Sequence, residues 1–330
     1  MRVVLTRREF AAAFAGTTAA WPLAAPAQTV MPTVGFLGSA SLEGLSPYLA
    51  KLRQGLGETG FAEGRNVAID YRWADNDNDR LQMLAAELVR ARVSVIVAPS
   101  FPAALAARAA TADIPIVFYT GLNPVDLGLV QSFNRPGGNL TGVVGLGIEL
   151  GAKRLELLHE LIPTARSIAL LVNATTAAIA EPTIKDVQAG ARTLGLELHI
   201  LLASSEQEID ADFAKLVELR AGGLVIGADN LFNGRSRQLA ALALRHAIPT
   251  VYQYREFAVA GGLMAYGGSL TDAYRLVGIY AGRILKGEKA AELPIQQSTT
   301  AELIVNLKTA QALGLTVPLL LRGRADEVIE

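Results

Sequence analysis

Residues 93–120 read VSVIVAPSFPAALAARAATADIPIVFYT. An almost wholly apolar run at 93–98 is followed by an alanine-rich helical segment at 102–111, and then by a second apolar run at 114–119. Apolar runs without polar alternation are typical of strands that a parallel sheet buries on both faces. The stretch therefore predicts a strand–helix–strand unit of an α/β fold.

The same alternation extends outward from this unit in both directions. Earlier strands are predicted at 33–37 and 67–71, each followed by a helical pattern. After the turn at 136–139 the rhythm restarts, and strands are predicted at 167–172, 197–202, 223–226 and 250–252. Repeated strand–helix units give right-handed crossovers and a parallel sheet covered on both faces. The two blocks predict two doubly wound parallel-sheet lobes, each similar to a Rossmann fold.

The elements after residue 253 are too few to form a third domain. We expect them to return and complete the two lobes. Lobe one is predicted to hold residues 32–142 plus 253–292, and lobe two residues 143–252 plus 293–330.

Composition excludes several classes of function. Of the 330 residues, 51% are hydrophobic, which is enough for a large core without crosslinks. The chain has 30 basic and 31 acidic residues, so nucleic acid and anionic membranes are not expected as partners. There is no cysteine, which excludes disulfides and thiolate chemistry. The histidines share no metal-ligand spacing: His159, His199 and His246.

Residues 1–27 have the pattern of an export signal. A basic start, an apolar run and a small-residue cleavage pattern follow one another: Arg2, Arg7 and Arg8, then 10–20, then Ala25-Pro26-Ala27. The apolar run is shorter than the roughly 20 residues that span a bilayer. Thr6-Arg7-Arg8-Glu9-Phe10 resembles the twin-arginine export motif, with an ordinary secretory signal as the alternative. A periplasmic location is expected.

Motifs of nucleotide-binding and hydrolytic enzymes are missing. Gly38 begins the loop after the first strand, but no second or third glycine follows at dinucleotide-binding spacing. The later pair Gly145 and Gly147 precedes Gly151 by one residue too many. Neither a P-loop nor a G-x-S-x-G elbow is present. The sequence therefore predicts a protein that is not an enzyme and needs no cofactor.

A series of segments carries a family resemblance, in order, over residues 32–330. The segments are 33–38 with Leu52-Arg53-Gln54-Gly55-Leu56, then Gly137-Gly138-Asn139-Leu140-Thr141-Gly142, then 150–158, Gly227-Ala228-Asp229, 281–287 and Val305-Asn306-Leu307-Lys308-Thr309-Ala310. The series resembles ABC-transporter periplasmic solute-binding proteins of the tryptophan/tyrosine-importer type. The resemblance implies a type I periplasmic-binding fold, with two lobes joined by three hinge crossings and the ligand in the cleft between them.

The resemblance also implies a function and partners. The chain would be the extracytoplasmic solute-binding component of an ABC importer, a monomer that meets permease and ATPase subunits in the inner membrane. Its ligand would be an aromatic amino acid or a related small carboxylate. A sugar-responsive repressor of the same fold would need an N-terminal helix-turn-helix, where this sequence has the export pattern. A periplasmic sensor subunit that feeds a signalling receptor stays open as the alternative.

Polar residues that follow the predicted strands are the candidate ligand contacts. Ligands of open parallel sheets bind beyond the carboxyl ends of the strands. The candidates from lobe one are Ser39, Ser100, Thr120 and Asn123, those from lobe two are Asn173, Asp229 and Tyr252, and Tyr266 and Ser269 lie where the chain is expected to re-enter lobe one.

Each candidate has a structural alternative. Ser100 would hold a ligand carboxylate or simply cap the helix at 102–111. Relatives of this type often carry aspartate where Asn123 stands, so Asp229 is the best anionic candidate for a ligand ammonium group, with helix capping as its alternative. The aromatic residues near the second-block loops would stack on a flat ligand or fill the core: Phe232, Tyr252, Tyr254 and Phe257.

Overall fold

The computed structural model describes residues 31–146, 148–298 and 300–330, so the export signal predicted at 1–27 lies outside it. The strands are β1 (Thr33–Gly38), β2 (Ala68–Trp73), β3 (Val95–Ala98), β4 (Ile116–Thr120), β5 (Leu140–Val144), β6 (Ser167–Asn173), β7 (Glu197–Ala203), β8 (Leu224–Ile226), β9 (Thr250–Tyr252), β10 (Met264–Gly267), β11 (Gln296–Gln297), β12 (Glu302–Asn306) and β13 (Glu327–Ile329).

The helices lie between these strands. They are α1 (Leu42–Glu58), α2 (Leu81–Arg90), α3 (Phe101–Ala110), α4 (Gly151–Leu161), α5 (Ala177–Leu194), α6 (Glu206–Glu218), α7 (Asn230–Asn233), α8 (Ser236–Arg245), α9 (Arg255–Val259), α10 (Leu270–Leu285), α11 (Leu307–Ala312) and α12 (Leu319–Arg324). Short 3₁₀ turns span Asn78–Arg80, Ile148–Leu150 and Ala290–Glu292. No helix in the described ranges is long and apolar enough to cross a membrane.

Lobe one is built on a sheet with the strand order β11-β5-β4-β3-β1-β2. Neighbouring strands of this sheet run parallel. Every residue of β3, β4 and β5 is buried, as expected for strands covered on both faces. Helices α1 and α10 cover one face, and α2 and α3 cover the other.

Lobe two has the sheet order β13-β12-β10-β9-β8-β6-β7. Its pairs are parallel except for β10 with β12. Each sheet contains the order 2-1-3-4-5 of a doubly wound fold, in lobe one as β2-β1-β3-β4-β5 and in lobe two as β7-β6-β8-β9-β10. The α/β fold class predicted from the sequence, with two Rossmann-like lobes, is confirmed.

Two returning strands lie in the lobe opposite to the one that the sequence predicted. Strand β10 was assigned to lobe one with residues 253–292, but it pairs with β9 and β12 of the second sheet. Only the short helix α9 separates β9 from β10, so the chain stays beside the strand it has just left. Strand β11, assigned to lobe two with residues 293–330, pairs with β5 of the first sheet. Helix α10 packs on α1, β3, β4 and β5, which brings the chain back to lobe one before β11.

The packing of α1 on α10 depends on glycine. A Cβ atom at Gly55 would lie 1.9 Å from the carbonyl oxygen of Arg275, and one at Gly278 would lie 2.2 Å from that of Leu52. The two helix backbones therefore approach as closely as glycine permits. This contact fixes α10, and with it the chain that leaves lobe two, onto lobe one.

The chain crosses between the lobes after β5, after β10 and after β11. The crossings are the hinge connections of a type I periplasmic-binding fold. The carboxyl ends of β1 to β4 and of β6 to β9 face a common cleft between the lobes.

Candidate functional site

The cleft has an empty volume of about 710 Å³, its open mouth included. Both lobes contribute to its lining through the loops that follow their parallel strands. The lining residues are Ser39, Asn76, Asn78, 99–102, 119–122, Asn173, Thr176, Ile179, Ser204, 228–231, Asn233 and Tyr254. The position agrees with the rule that doubly wound sheets bind ligands beyond the carboxyl ends of their strands.

Lobe one presents hydroxyl groups to the cleft. Ser100 caps α3, because its Oγ accepts a hydrogen bond from the N–H of Ala103 at 3.3 Å. Thr120 ends β4, and its Oγ1 accepts from the N–H of Leu122 at 3.1 Å. Each hydroxyl keeps its own O–H, which can donate to a ligand oxygen. Helix capping and ligand binding are therefore compatible roles for Ser100.

Asp229 is the one aspartate or glutamate among the lining residues that the structure describes. It caps the short helix α7: its Oδ1 accepts from the N–H of Leu231 at 2.8 Å and from Nδ2 of Asn173 at 2.9 Å. Burial raises the pKa of this carboxyl, and the hydrogen bond from Asn173 acts in the opposite direction. No arginine or lysine forms an ion pair with it within the described ranges. A cationic group of a ligand would be the natural counter-charge.

Two tyrosines join the lobes at the hinge side of the cleft. The hydroxyls of Tyr119, from lobe one, and Tyr254, from lobe two, lie 3.3 Å apart. A Cβ atom at Gly145 in the first crossing would lie 2.3 Å from the Tyr119 hydroxyl. Burial raises the pKa of both phenols, so both stay neutral and can donate hydrogen bonds. With Phe101 at the start of α3, they supply aromatic surface to the cleft.

Asparagine side chains form a further part of the polar lining. In lobe two, Asn230 Nδ2 donates to Ser39 Oγ of lobe one at 2.8 Å, and Asn233 Oδ1 accepts from Gln253 Nε2 at 2.7 Å. In lobe one, the side chains of Asn76 and Asn78 make no hydrogen bond to other described residues. The lobe-two amides are thus used within the protein, whereas Asn76 and Asn78 line the cleft and their amides bond to no other described residue.

The family is shown by residues 40–329, which match the family model described as "ABC transporter substrate binding protein". The chain belongs to this family. The expectation from the sequence is thereby confirmed at the level of the family: the protein is the substrate-binding component of an ABC transporter, and the sensor alternative is not favoured.

A curated relative agrees with this substrate-binding assignment, and a solved structure agrees with the fold. The chain is 30% identical over 278 residues to a tyrosine-binding protein of Clostridioides difficile strain R20291, covering 82% of this chain and 78% of that protein. A Streptococcus pneumoniae ABC domain in complex with L-Trp gives a TM-score of 0.81 at 24% identity, over 91% of this chain and all of that one.

A third comparison bears on the arrangement of the two lobes. A ligand-free, open substrate-binding protein with adhesive properties from Clostridium difficile gives a TM-score of 0.62 at 25% identity, covering 90% of this chain and 99% of that one. In this chain the two lobes are linked to each other across the cleft. The hydrogen bond between Ser39 and Asn230 and the contact between Tyr119 and Tyr254 are such links.

The structure brings five of the predicted site residues of this substrate-binding protein together in the cleft. They are Ser39, Ser100, Thr120, Asn173 and Asp229. Four others lie outside the cleft lining. Asn123 is exposed and its Oδ1 accepts from the N–H of Val125, and Ser269 caps α10 by accepting from the N–H of Asp272. Both therefore organise the loops in which they lie.

The other two predicted residues pack inside lobe two. Tyr252 is fully buried and its ring stacks on Phe257, with centroids 4.9 Å apart. The side chain of Tyr266, on β10, packs against the core of lobe two. Strand residues alternate between the two faces of a sheet, and both faces are covered here, so the side chains of Tyr252 and Tyr266 reach the core rather than the cleft.

Several cleft residues were not predicted as site residues. Tyr254 was weighed only as one of an aromatic group, and Tyr119, Asn76, Asn78 and Asn230 were not considered. A signal was present for the asparagines, because Asn76 and Asn78 lie in the loop after β2 and Asn230 follows Asp229.

Proposed function

We propose that this protein is the extracytoplasmic solute-binding component of an ABC importer and that its ligand is an aromatic α-amino acid or a related small aromatic carboxylate. The observation that carries the proposal is Asp229, a buried carboxylate on one wall of the cleft, placed opposite neutral hydroxyl donors on the other. A zwitterion satisfies both walls. The tyrosine-binding relative supports the same ligand class.

Each wall has a distinct part in this proposal. Ser100 and Thr120 hold the ligand carboxylate, and Asp229 pairs with the ammonium group. Asn173 fixes Asp229 in position through its hydrogen bond at 2.9 Å. The ring rests against Phe101, Tyr119 and Tyr254. Aromatic contact supplies most of the apolar burial for a flat ligand, while the polar groups fix its orientation.

Binding, rather than catalysis, is the role in this proposal. The protein is a monomer that leaves the cytoplasm by the signal at residues 1–27, with the twin-arginine pathway suggested by Arg7 and Arg8. It delivers its ligand to permease and ATPase subunits in the inner membrane.

A thermal-shift screen with paired ligands tests the proposal. L-tyrosine, L-tryptophan and L-phenylalanine should stabilise the protein by about 2.7 kcal/mol at 100 times their Kd. Tyramine lacks the carboxylate and 3-(4-hydroxyphenyl)propionate lacks the ammonium group, so each should stabilise it less at equal concentration. D-allose serves as a control, since a solute-binding protein of this fold that is 14% identical to this chain has D-allose bound. Stabilisation by the sugar with none by amino acids would overturn the proposal.

A further inference from the structure

A direct hydrogen bond between Ser39 and Asn230 connects the two lobes. Ser39 follows β1 of lobe one, Asn230 begins α7 of lobe two, and Asn230 Nδ2 donates to Ser39 Oγ at 2.8 Å. Ser39 is 5% exposed. This bond lies between the lobes, so it can form when they are together and must break when they separate.

A chain of amides continues from this bond into lobe two. Asn230 Oδ1 accepts from Asn233 Nδ2 at 3.4 Å, and Asn233 Oδ1 accepts from Gln253 Nε2 at 2.7 Å. Gln253 is fully buried, and its backbone carbonyl oxygen would lie 2.0 Å from a Cβ atom at Gly267, where β10 ends and the second crossing begins. The amide chain therefore runs from the hinge to the loop after β1.

The lobe-one end is anchored as well. The carbonyl oxygen of Ser39 accepts from the N–H of Asn76 at 2.7 Å. Asn76 has a left-handed backbone with φ of 68°, as does its neighbour Asp75 with φ of 55°. Asparagine and aspartate tolerate this conformation better than other residues that carry a side chain. Ser39 is thus fixed on one side by the Asn76 loop and on the other by Asn230.

We propose that Ser39 and Asn230 form an interlobe latch that stabilises the closed arrangement of the lobes. They act as positioning residues. A bond present only in the closed state shifts the population toward the closed state. The apparent affinity for the ligand then rises with the closed fraction. The effect on ligand affinity rests on the proposed function, whereas the latch itself rests on the geometry of the amide chain.

The latch can be measured by fluorescence energy transfer in the full chain without ligand. The sequence has no cysteine, so Met83→Cys on α2 and Val217→Cys on α6 give a unique pair of dye sites. Both positions are exposed, at 54% and 53%. They lie on the helices that follow β2 and β7, the edge strands farthest from the crossings in the sheet order, so their separation should respond to opening.

Asn230→Ala should lower the closed-to-open ratio by about 2- to 12-fold, the range for loss of one neutral hydrogen bond. Ser39→Ala should lower it equally, and the double variant no further. Asn78→Ala is the matched control, an asparagine of the same cleft without a side-chain hydrogen bond in the described chain, and it should leave the ratio unchanged.

A ratio in Asn230→Ala equal to that of the control would overturn the latch. If Asn230→Ala does not fold, Ser39→Ala decides, because it removes a single hydroxyl. A titration with L-tyrosine is a separate arm: weaker binding in Asn230→Ala by the same factor supports the latch. Failure of wild type to bind L-tyrosine would count against the proposed ligand, while the ligand-free measurement would still decide the latch.

Discussion

Asn173 Nδ2 donates a hydrogen bond to Asp229 Oδ1 at 2.9 Å, so a neutral amide holds the buried carboxylate of the cleft. The amide is itself fixed, because Asn173 Oδ1 accepts from both the N–H and the hydroxyl of Thr175 at 2.9 Å. Because the amide is neutral, it positions the carboxylate without compensating its negative charge. The charge is then available to a ligand cation.

The charge of Asp229 should determine affinity for amino acids. Asp229→Asn keeps an oxygen that can cap α7 but removes the charge-assisted bond to the ligand ammonium group. We expect affinity for L-tyrosine to fall by about 10- to 150-fold, equivalent to roughly 1.5–3 kcal/mol. Isothermal titration calorimetry measures the change.

The desamino analogue separates the binding role of Asp229 from a structural one. Binding of 3-(4-hydroxyphenyl)propionate should change much less in Asp229→Asn, because that ligand has no ammonium group. Unchanged L-tyrosine affinity together with a reduced melting temperature would make Asp229 a helix cap and remove it from the site.

Affinity for L-tyrosine should weaken at acidic pH. Burial raises the pKa of Asp229 above its ordinary value of 3.8, so the carboxyl protonates at a higher pH in the folded protein than in the unfolded chain. As pH falls from 7 through the raised pKa, the ligand loses its anionic partner and binding weakens. Calorimetry over a pH series should show this decline in wild type and a flatter profile in Asp229→Asn.

The same pKa shift predicts the stability trend. Between 3.8 and the raised pKa, the folded state binds more protons at Asp229 than the unfolded chain does. This group therefore lowers the free energy of unfolding as pH rises through that window. Ligand-free Asp229→Asn should gain stability relative to wild type as pH rises, measured by urea unfolding. A difference that stays constant with pH would contradict the assignment.

The contact between α1 and α10 offers a paired test of packing. Gly55→Ala puts a Cβ atom 1.9 Å from the carbonyl oxygen of Arg275, and we expect a loss of about 1–3 kcal/mol as the helices separate. Gly57→Ala, two residues away on the same helix, meets no atom within 4 Å and should stabilise the protein by about 0.5–1 kcal/mol. Urea unfolding compares the two, and equal effects would refute this explanation.

The export pattern in the sequence of residues 1–27 predicts a processed N-terminus. Mass spectrometry of periplasmic material should find Gln28, or a residue near it, as the first residue of the mature chain. Arg7→Lys with Arg8→Lys should block export if the twin-arginine pathway is used and should have little effect on an ordinary secretory signal. Accumulation of the uncleaved chain in the cytoplasm would contradict export altogether.

Regular elements could be predicted wherever the local pattern and the tertiary environment agree. The apolar run at 93–98 and the helical pattern at 102–111 correspond to β3 and α3 within a few residues. Strand β5 was missed because it directly follows the glycine-rich turn at 136–139. Its strand conformation depends on pairing with β4 and β11, which are distant in sequence.

Position at or just after a strand end did not by itself decide whether a predicted residue reached the cleft. Ser100 and Asp229 follow β3 and β8 and reach the cleft, whereas Tyr252 ends β9 with its ring in the core. Asn123 lies only three residues beyond β4, but its loop turns its side chain back to the N–H of Val125. Distance from a strand end is visible in sequence, whereas the direction of a loop is not.

The sequence by itself determined the class of this protein: hydrophobic periodicity predicted two doubly wound lobes, and the ordered segments carried the resemblance to solute-binding proteins. Only the tertiary structure decided which lobe takes β10 and β11, and which asparagines use their amides within the protein. The physical reason is the separation in sequence between the residues that make contact. Local periodicity sets whether a segment is a helix or a strand. Strand pairing and side-chain hydrogen bonds, in contrast, join residues far apart in the sequence, such as Ser39 and Asn230, which are 191 positions apart. Such contacts exist only once both lobes have folded around the cleft.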